Sequence, residues 1–279
     1  VIGAGDIGDA VRQCIASAAI ALRPDALSAL RSALEREHSA RGRLVLGQLI
    51  ENSEIAASDG VPLCQDTGYV WVLLEVGEEG CLCGDVSGAI DAAVAEAYRA
   101  ARLRASIASD ALSDRSNTGD NTPAFVDVSF RPGSGITVHV MLKGGGSDNA
   151  SALKMLAPGE GEEGVRRFVL ETVARTAAAA CPPVVVGVGV GTTFDKVGVL
   201  AKKALLREIG ASNPDARAAA IERELLEGIN ELGVGPGGLG GDTTALAVHM
   251  LTAPCHIAAL PVAVDIGCVA LRSASIEVI

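Results

Sequence analysis

The stretch 184-VVVGVGVGTTFD-195 decides the fold class. Its Val-rich run reads as a buried strand opening onto a glycine loop. It lies between helical stretches: residues 160–180, ending at 181-CPP-183, and residues 196–232, broken into two helices near Gly210–Pro214. Further on come the glycine loop 233-GVGPGGLGGDTT-244, a strand over Ala245–Met250, and 254-PCHIAALPVAVDIGC-268. Toward the N-terminus, the alternating runs Phe125–Phe130 and Gly135–Leu142, joined by 131-RPGSG-135, predict a β-hairpin or a pair of adjacent strands. Residues 85–105 read as a helix and Tyr69–Leu74 as a strand. Residues 6–58 show helical spacing, with Asp9 and Asp25 placed at helix starts. Strands and helices are interspersed, so the fold class is mixed α and β (α+β-like). We expect a single domain over 1–279, with a helical part (1–58) packed on a β-containing core (59–279) that carries glycine-rich loops.

Composition narrows the function. Apolar residues make up 49% of the 279 and aromatics only 3%, so the core must close with small side chains and tight contacts. A net charge of −11 argues against non-specific nucleic-acid binding, which needs basic surface. It does not exclude a small anionic substrate met by local Arg and Lys. No apolar run reaches the length of a membrane span. The N-terminal 1-VIGAGDIGDAVRQC-14 has neither a basic region nor a long apolar one, so the expected location is the cytoplasm.

Glycine clusters in 118-TGDN-121, 143-KGGGSDN-149, 187-GVGVGTT-193 and 235-GPGGLGGDTT-244 raise the question of nucleotide binding. A phosphate loop would have Lys before its hydroxyl pair, and here Asp242 stands there. The stretch 187–193 lacks the final Gly of a dinucleotide fingerprint, and no acidic residue follows at the required distance. A nucleotide-binding module is therefore the weaker reading of these loops.

The seven cysteines are Cys14, Cys64, Cys81, Cys83, Cys181, Cys255 and Cys268. Cys14 sits on an apolar helix face, as a core residue does. Cys81 and Cys83 form a CxC with no second pair nearby, a poor zinc signal. Cys64, in 61-VPLCQDTGYVW-71, is followed directly by Gln65, Asp66 and Thr67; Cys181 ends a helix; Cys268 ends 260-LPVAVDIGC-268. All three fall at the edges of regular elements, where sites form. They are one thiolate short of the usual complement of a [4Fe–4S] cluster, which would leave one iron open; simple packing is the competing account.

Taken in series, these motifs resemble the α-subunit, or N-terminal domain, of the class I iron–sulfur fumarate hydratase and tartrate dehydratase family. The resemblance rests on Cys64-Gln65-Asp66-Thr67-Gly68, on Asn117 through Pro123, and on Lys143-Gly144-Gly145-Gly146-Ser147. It continues in Cys181-Pro182-Pro183 with Gly187, Gly189 and Gly191, in Gly238-Leu239-Gly240-Gly241, and in His256 through Pro261 to Cys268. The resemblance implies that Cys64, Cys181 and Cys268 hold a [4Fe–4S] cluster. It implies that Gln65, Asp66, Arg104 and Gly146 bind substrate, and that Asp66 and His256 are catalytic. Thr192 and Asp242 depart from the family pattern, which commonly has Gly and Lys there; Cys255 is an extra thiol.

The implied activity is a hydro-lyase acting on a dicarboxylate, with fumarate hydratase as the first expectation. L-Tartrate dehydratase or mesaconate hydratase is the alternative. The resemblance also implies a separate β-subunit, a dimer of αβ units, and an apolar patch on this chain where a partner docks. A nucleotide-binding module and a non-catalytic scaffold subunit are the rivals from other classes.

Overall fold

The computed structural model describes residues 1–279. In chain order the first elements are β1 (Ile2–Gly3), α1 (Ala4–Ile20), α2 (Pro24–Arg36), α3 (Ala40–Asp59), β2 (Tyr69–Gly77), β3 (Leu82–Cys83), α4 (Val86–Ala100), β4 (Phe125–Arg131) and β5 (Ile136–Lys143). There follow α5 (Gly145–Asn149), β6 (Ala152–Leu156), α6 (Gly161–Thr176), β7 (Val184–Thr192), α7 (Val197–Ala204), α8 (Ala216–Glu231), β8 (Ala245–Cys255), β9 (Leu260–Gly267) and β10 (Ser273–Val278). The α+β class is thus observed. The chain gathers into two compact units: residues 1–23, 52–145 and 270–279 form the first, and 24–51 with 146–269 the second. The helical 1–58 stretch is therefore not one layer. Its α1 belongs to the first unit, α2 to the second, and α3 runs from one into the other.

The first unit is built on a sheet of order β10-β5-β2-β4. β5 pairs antiparallel with both β10 and β2, and β4 pairs parallel with β2. The expected hairpin is thus absent: β4 and β5 do not pair, because β2 lies between them. The loop joining them straddles the end of β2 instead. There Gly77 N–H donates to Gly135 O at 2.9 Å, and Glu78 N–H to Arg131 O at 2.9 Å. A Cβ on Gly77 would collide with the Gly133 carbonyl, so this crossing needs glycine. Local alternation cannot distinguish it from a hairpin, since both need two amphipathic strands and a turn.

Helix α1 turns Ile7, Val11, Cys14, Ile15 and Ala18 into the core, the spacing of one helical face. It packs on β5, β10 and α4. Gly8 lets α4 come close, since a Cβ there would stand 3.0 Å from Ala89 O. The helix begins earlier than Asp9 suggests. Asp6 accepts the Gly3 N–H at 2.9 Å, while Asp9 pairs with Arg12 inside the helix. Asp25 does lie in the first turn of α2, where it accepts from Ile209 N–H at 2.7 Å.

The second unit is built on a sheet of order β6-β9-β7-β8, with β7 and β8 parallel and β9 antiparallel to β6 and β7. Here the stretch 184–195 departs from its expected glycine loop. Gly187 and Gly189 lie inside β7, under α7. A Cβ on Gly189 would stand 2.6 Å from Val197 O, and one on Gly187 would strike Ala201 O. These glycines bring a helix onto a sheet rather than an anion onto a loop. The other rich loop, 235–244, is also occupied by its own protein. The buried carboxylate of Glu37 accepts N–H bonds from Asp242 at 2.9 Å and Thr243 at 3.1 Å. Asp242 in turn accepts from His38 N–H at 2.9 Å. Donors that a phosphate would need already face a carboxylate, so the nucleotide reading loses its best loop.

Candidate active site

The first unit holds an anion-suited cleft of 340 Å³, lined by Asp66, Gly68, Tyr69, Arg104, Ser106, Asn117, Lys143 and Gly145 among others. Its floor is the turn Cys64–Gly68. Gly68 has φ +80°, and a Cβ there would meet Lys143 O at 2.5 Å, so only glycine fits. The Asp66 carboxylate is held from two sides: Oδ1 accepts from Gly68 N–H at 3.1 Å and Oδ2 from Gly145 N–H at 2.9 Å. Two backbone donors fix its direction. Beside it, the Cys64 thiol lies 3.8 Å from Gln65 Oε1.

The rest of the cleft is stitched to that turn. Thr67 Oγ1 donates to Arg104 O at 2.6 Å, so the backbone carrying the guanidinium is tied to the Cys64–Gly68 turn. Asn121, wholly buried and at φ +64°, accepts from Ser106 N–H at 2.7 Å and donates to Gly68 O at 3.2 Å. Tyr98 donates to Gly68 O at 2.9 Å, and burial pushes its phenol far above the ordinary range. It is a structural donor, not a proton carrier. The loop 118-TGDN-121 closes on itself: Asp120 Oδ1 accepts from Thr122 N–H at 3.0 Å and from its hydroxyl at 2.8 Å.

Asp66 and Arg104 are therefore brought to one cleft. Lys143, Ser106 and Asn117 join them, and composition alone does not single these out, although Lys143 precedes the Gly-Gly-Gly run that carries Gly145. Arg272 is a further residue that sequence reasoning missed. It is buried, and its guanidinium would stand 3.5 Å from a Cβ on Gly144, the same hypothetical atom that would lie 3.0 Å from Asp66 Oδ2. Nothing local marks it; β10 carries it there through Leu142 N–H donating to Arg272 O at 2.9 Å.

The second unit brings two of the expected cluster cysteines together. Cys181 adopts a left-handed conformation, φ 54°, before β7, and its carbonyl accepts the Val269 N–H at 3.2 Å. That bond seats Cys268, at the end of antiparallel β9, beside Cys181, at the start of β7. Cys181 is exposed, Cys64 and Cys268 are half-exposed, and none of the three is in a disulfide. Gly146, in the same unit, would place a Cβ 3.3 Å from Ala179 O, so its backbone runs close to the turn that leads into Cys181.

No group of three His, Cys, Asp or Glu side chains is gathered as a single-ion site. A polynuclear cluster makes no such demand, because each thiolate binds a different iron. Accessible cysteines outside any disulfide, two of them seated side by side, suit that group.

His256 is not brought to these cysteines within the unit. It follows β8, whose Cys255 aligns with the C-terminal end of β7 at Thr192, whereas Cys181 precedes the N-terminal end. The length of the sheet separates them, about 25 Å for eight residues. His256 is exposed, and its Nδ1 accepts from Ala258 N–H at 3.1 Å in the β8–β9 turn. Cys255 donates to Ala259 O at 3.2 Å in the same turn. Cys14 is wholly buried, and burial pushes its thiol up to about 12.

A family model described as Fumarate hydratase (Fumerase) matches residues 8–277, and the chain belongs to that family of hydro-lyases, as an α-subunit. A relative from Methanocaldococcus jannaschii, named "Putative L(+)-tartrate dehydratase subunit alpha", is 42% identical over 274 residues, covering 96% of each chain. Two from Escherichia coli, strains UTI89 and K12, are named "L(+)-tartrate dehydratase subunit alpha". They are 36% and 35% identical over 256 residues, 91% of this chain and 84% of theirs. No helix is long and apolar enough to cross a membrane.

Proposed function

We propose that the chain is the α-subunit of an L(+)-tartrate dehydratase, working with a separate β-subunit. What supports the reading is the cleft that unites Asp66 and Arg104 in a chain of which relatives named as L(+)-tartrate dehydratase α-subunits cover 91% to 96%. Arg104 offers a planar fork to one carboxylate of the substrate. Lys143 adds positive charge in the same cleft, and the Gly145 backbone runs along it. Asp66, oriented by the Gly68 and Gly145 N–H groups, faces the cleft as a carboxylate able to hold a substrate hydroxyl and take or return its proton. Ser106 and Asn117 supply polar walls for a second hydroxyl, which tartrate has and malate lacks.

Cys64, Cys181 and Cys268 would hold a [4Fe–4S] cluster. When bound, such a cluster supplies an open Lewis-acidic iron that weakens a carbon–oxygen bond. The net change is loss of one hydroxyl and the hydrogen on the neighbouring carbon as water. For tartrate the enol formed relaxes to the oxo-dicarboxylate. His256 stands at the other end of the second sheet and is given no part beside Cys181 and Cys268. Fumarate hydratase is the second reading, favoured by the description of the matching family model.

The test is anaerobic co-expression with the adjacent β-subunit and assay on L(+)-tartrate and (S)-malate. The expected result is a kcat/KM for tartrate at least about tenfold above that for malate, a difference of about 1.4 kcal/mol in transition-state binding. The reverse order would select the fumarate reading. Cys64→Ser is expected to abolish turnover; unchanged activity would leave only a scaffold role.

A further inference from the structure

Arg272 carries a charge for which the fold itself has no use. It is 3% exposed, and its Nε has no hydrogen-bond partner. A guanidinium taken out of water without a partner is costly. The residue before it, Leu271, adds to that cost, for its φ of 27° lies in a region that a bulky side chain rarely adopts. Strain and a buried charge at adjacent positions mark a place where stability is given up, and such places cluster at functional sites.

Asp66 supplies the reason. A Cβ built on Gly144 would stand 3.0 Å from Asp66 Oδ2 and 3.5 Å from Arg272 Nη2, so both groups border the space left by that missing side chain. Tyr98 gives a second sign of their nearness. Burial raises its phenol, the Arg272 charge works against the rise, and the Asp66 charge adds to it. All four residues belong to the first unit. Arg272 is not among the residues lining the cleft, where Arg104 and Lys143 are placed to meet substrate carboxylates. Its charge therefore reaches the cleft through Asp66. Buried and unscreened, it attracts Oδ2, the oxygen that Gly145 N–H already holds at 2.9 Å.

We propose that Arg272 is a positioning residue: across the gap at Gly144 it holds the Asp66 carboxylate in the pose from which that group meets the substrate. The proposal rests on the role of Asp66 in the hydro-lyase reading. The test measures kcat and KM of the anaerobic αβ enzyme on L(+)-tartrate and (S)-malate. Arg272→Met should lower kcat at least about tenfold, as small displacements of a reacting group do, while KM stays within about threefold because Arg104 and Lys143 are untouched. Its melting temperature should stay level or rise, because an apolar side chain replaces an unpaired buried charge. The visible absorbance of the cluster should be kept. Arg272→Lys, which restores the charge, should come within about threefold of the wild-type kcat. Gly144→Ala, which fills the gap with a methyl group, should repeat the loss of kcat. An Arg272→Met enzyme with wild-type kcat, with a change in KM alone, with a lower melting temperature or without its absorbance overturns the proposal. So does an Arg272→Lys enzyme no faster than Arg272→Met, or a Gly144→Ala enzyme at the wild-type rate. A wild type that prefers malate sinks the tartrate reading alone, since the same ratios are then read on malate; one that turns over neither sinks both.

Discussion

Gly68 shows how one residue without a side chain sets the cleft. Its positive φ turns the chain after Asp66, and its missing Cβ lets the backbone lie against Lys143 O. Gly68→Ala should cost about 1–3 kcal/mol from strain alone, read by urea denaturation. It should also lower activity, since the Gly68 N–H steadies Asp66. An unchanged urea midpoint would mean that the turn can relax elsewhere. Thr192 is the opposite case. It occupies φ +61°, where a β-branched residue is strained, which gives a physical reason for glycine to be usual there. Cys14 is legible as core from its helical spacing alone. Its neutral thiol has no part in ligation.

At the scale of elements, β7 is the most informative. Its glycines invite a loop reading, because glycine is both the loop former and the residue that lets a helix approach a sheet. Only the neighbour decides, and here the neighbour is α7. Gly189→Val should destabilise by about 1–3 kcal/mol through overpacking, whereas the same change at exposed-loop Gly210, which meets nothing within 4 Å, is decided by its backbone, φ +94°. A melting-temperature comparison at several denaturant concentrations measures the first effect.

The turns carry a shared acid response. Asp110, Asp120, Asp195 and Asp242 are each held below the ordinary 3.8, the first by the N–H of Leu112, the second by that of Thr122, the third by the Thr193 hydroxyl and the last by the His38 N–H. A depressed folded value adds stability that is full above the unfolded value and is lost as pH falls through the folded one. The melting temperature should therefore be flat in these groups from about pH 7 to about 5 and should fall below about 4. A variant with all four changed to Asn should show a shallower fall in a pH series. An identical slope would assign the acid response to other carboxylates.

At the scale of the whole molecule, the candidate ligands belong to different units: Cys64 to the first, Cys181 and Cys268 to the second. If the three hold one cluster, Cys64→Ser should remove the visible absorbance of the anaerobic protein as fully as Cys181→Ser or Cys268→Ser. Cys81→Ser and Cys83→Ser, exposed and on or beside a short strand, should retain it. Colour surviving in Cys64→Ser would confine the metal to the second unit.

Much of this protein was legible in its residues. Helical spacing placed α1, α6 and α8, apolar runs placed β2, β7 and β8, and the run of motifs from Cys64 to Cys268 marked the family, because each of these is a local pattern. Pairing was not legible: β4 and β5 look like a hairpin, yet β2 separates them, since the partner of a strand is chosen by contacts far away in sequence. The site divided in the same way. Cys64, Asp66, Cys181 and Cys268 stood out by type and context and Arg104 by the family resemblance, whereas Arg272 came to the same side of Gly144 as Asp66, and His256 was set apart from Cys181, only through the direction in which strands run. Sequence by itself determined which residues are chemically equipped. Tertiary structure decided which of them meet, because backbone register over whole strands, and not the neighbouring residue, sets those distances.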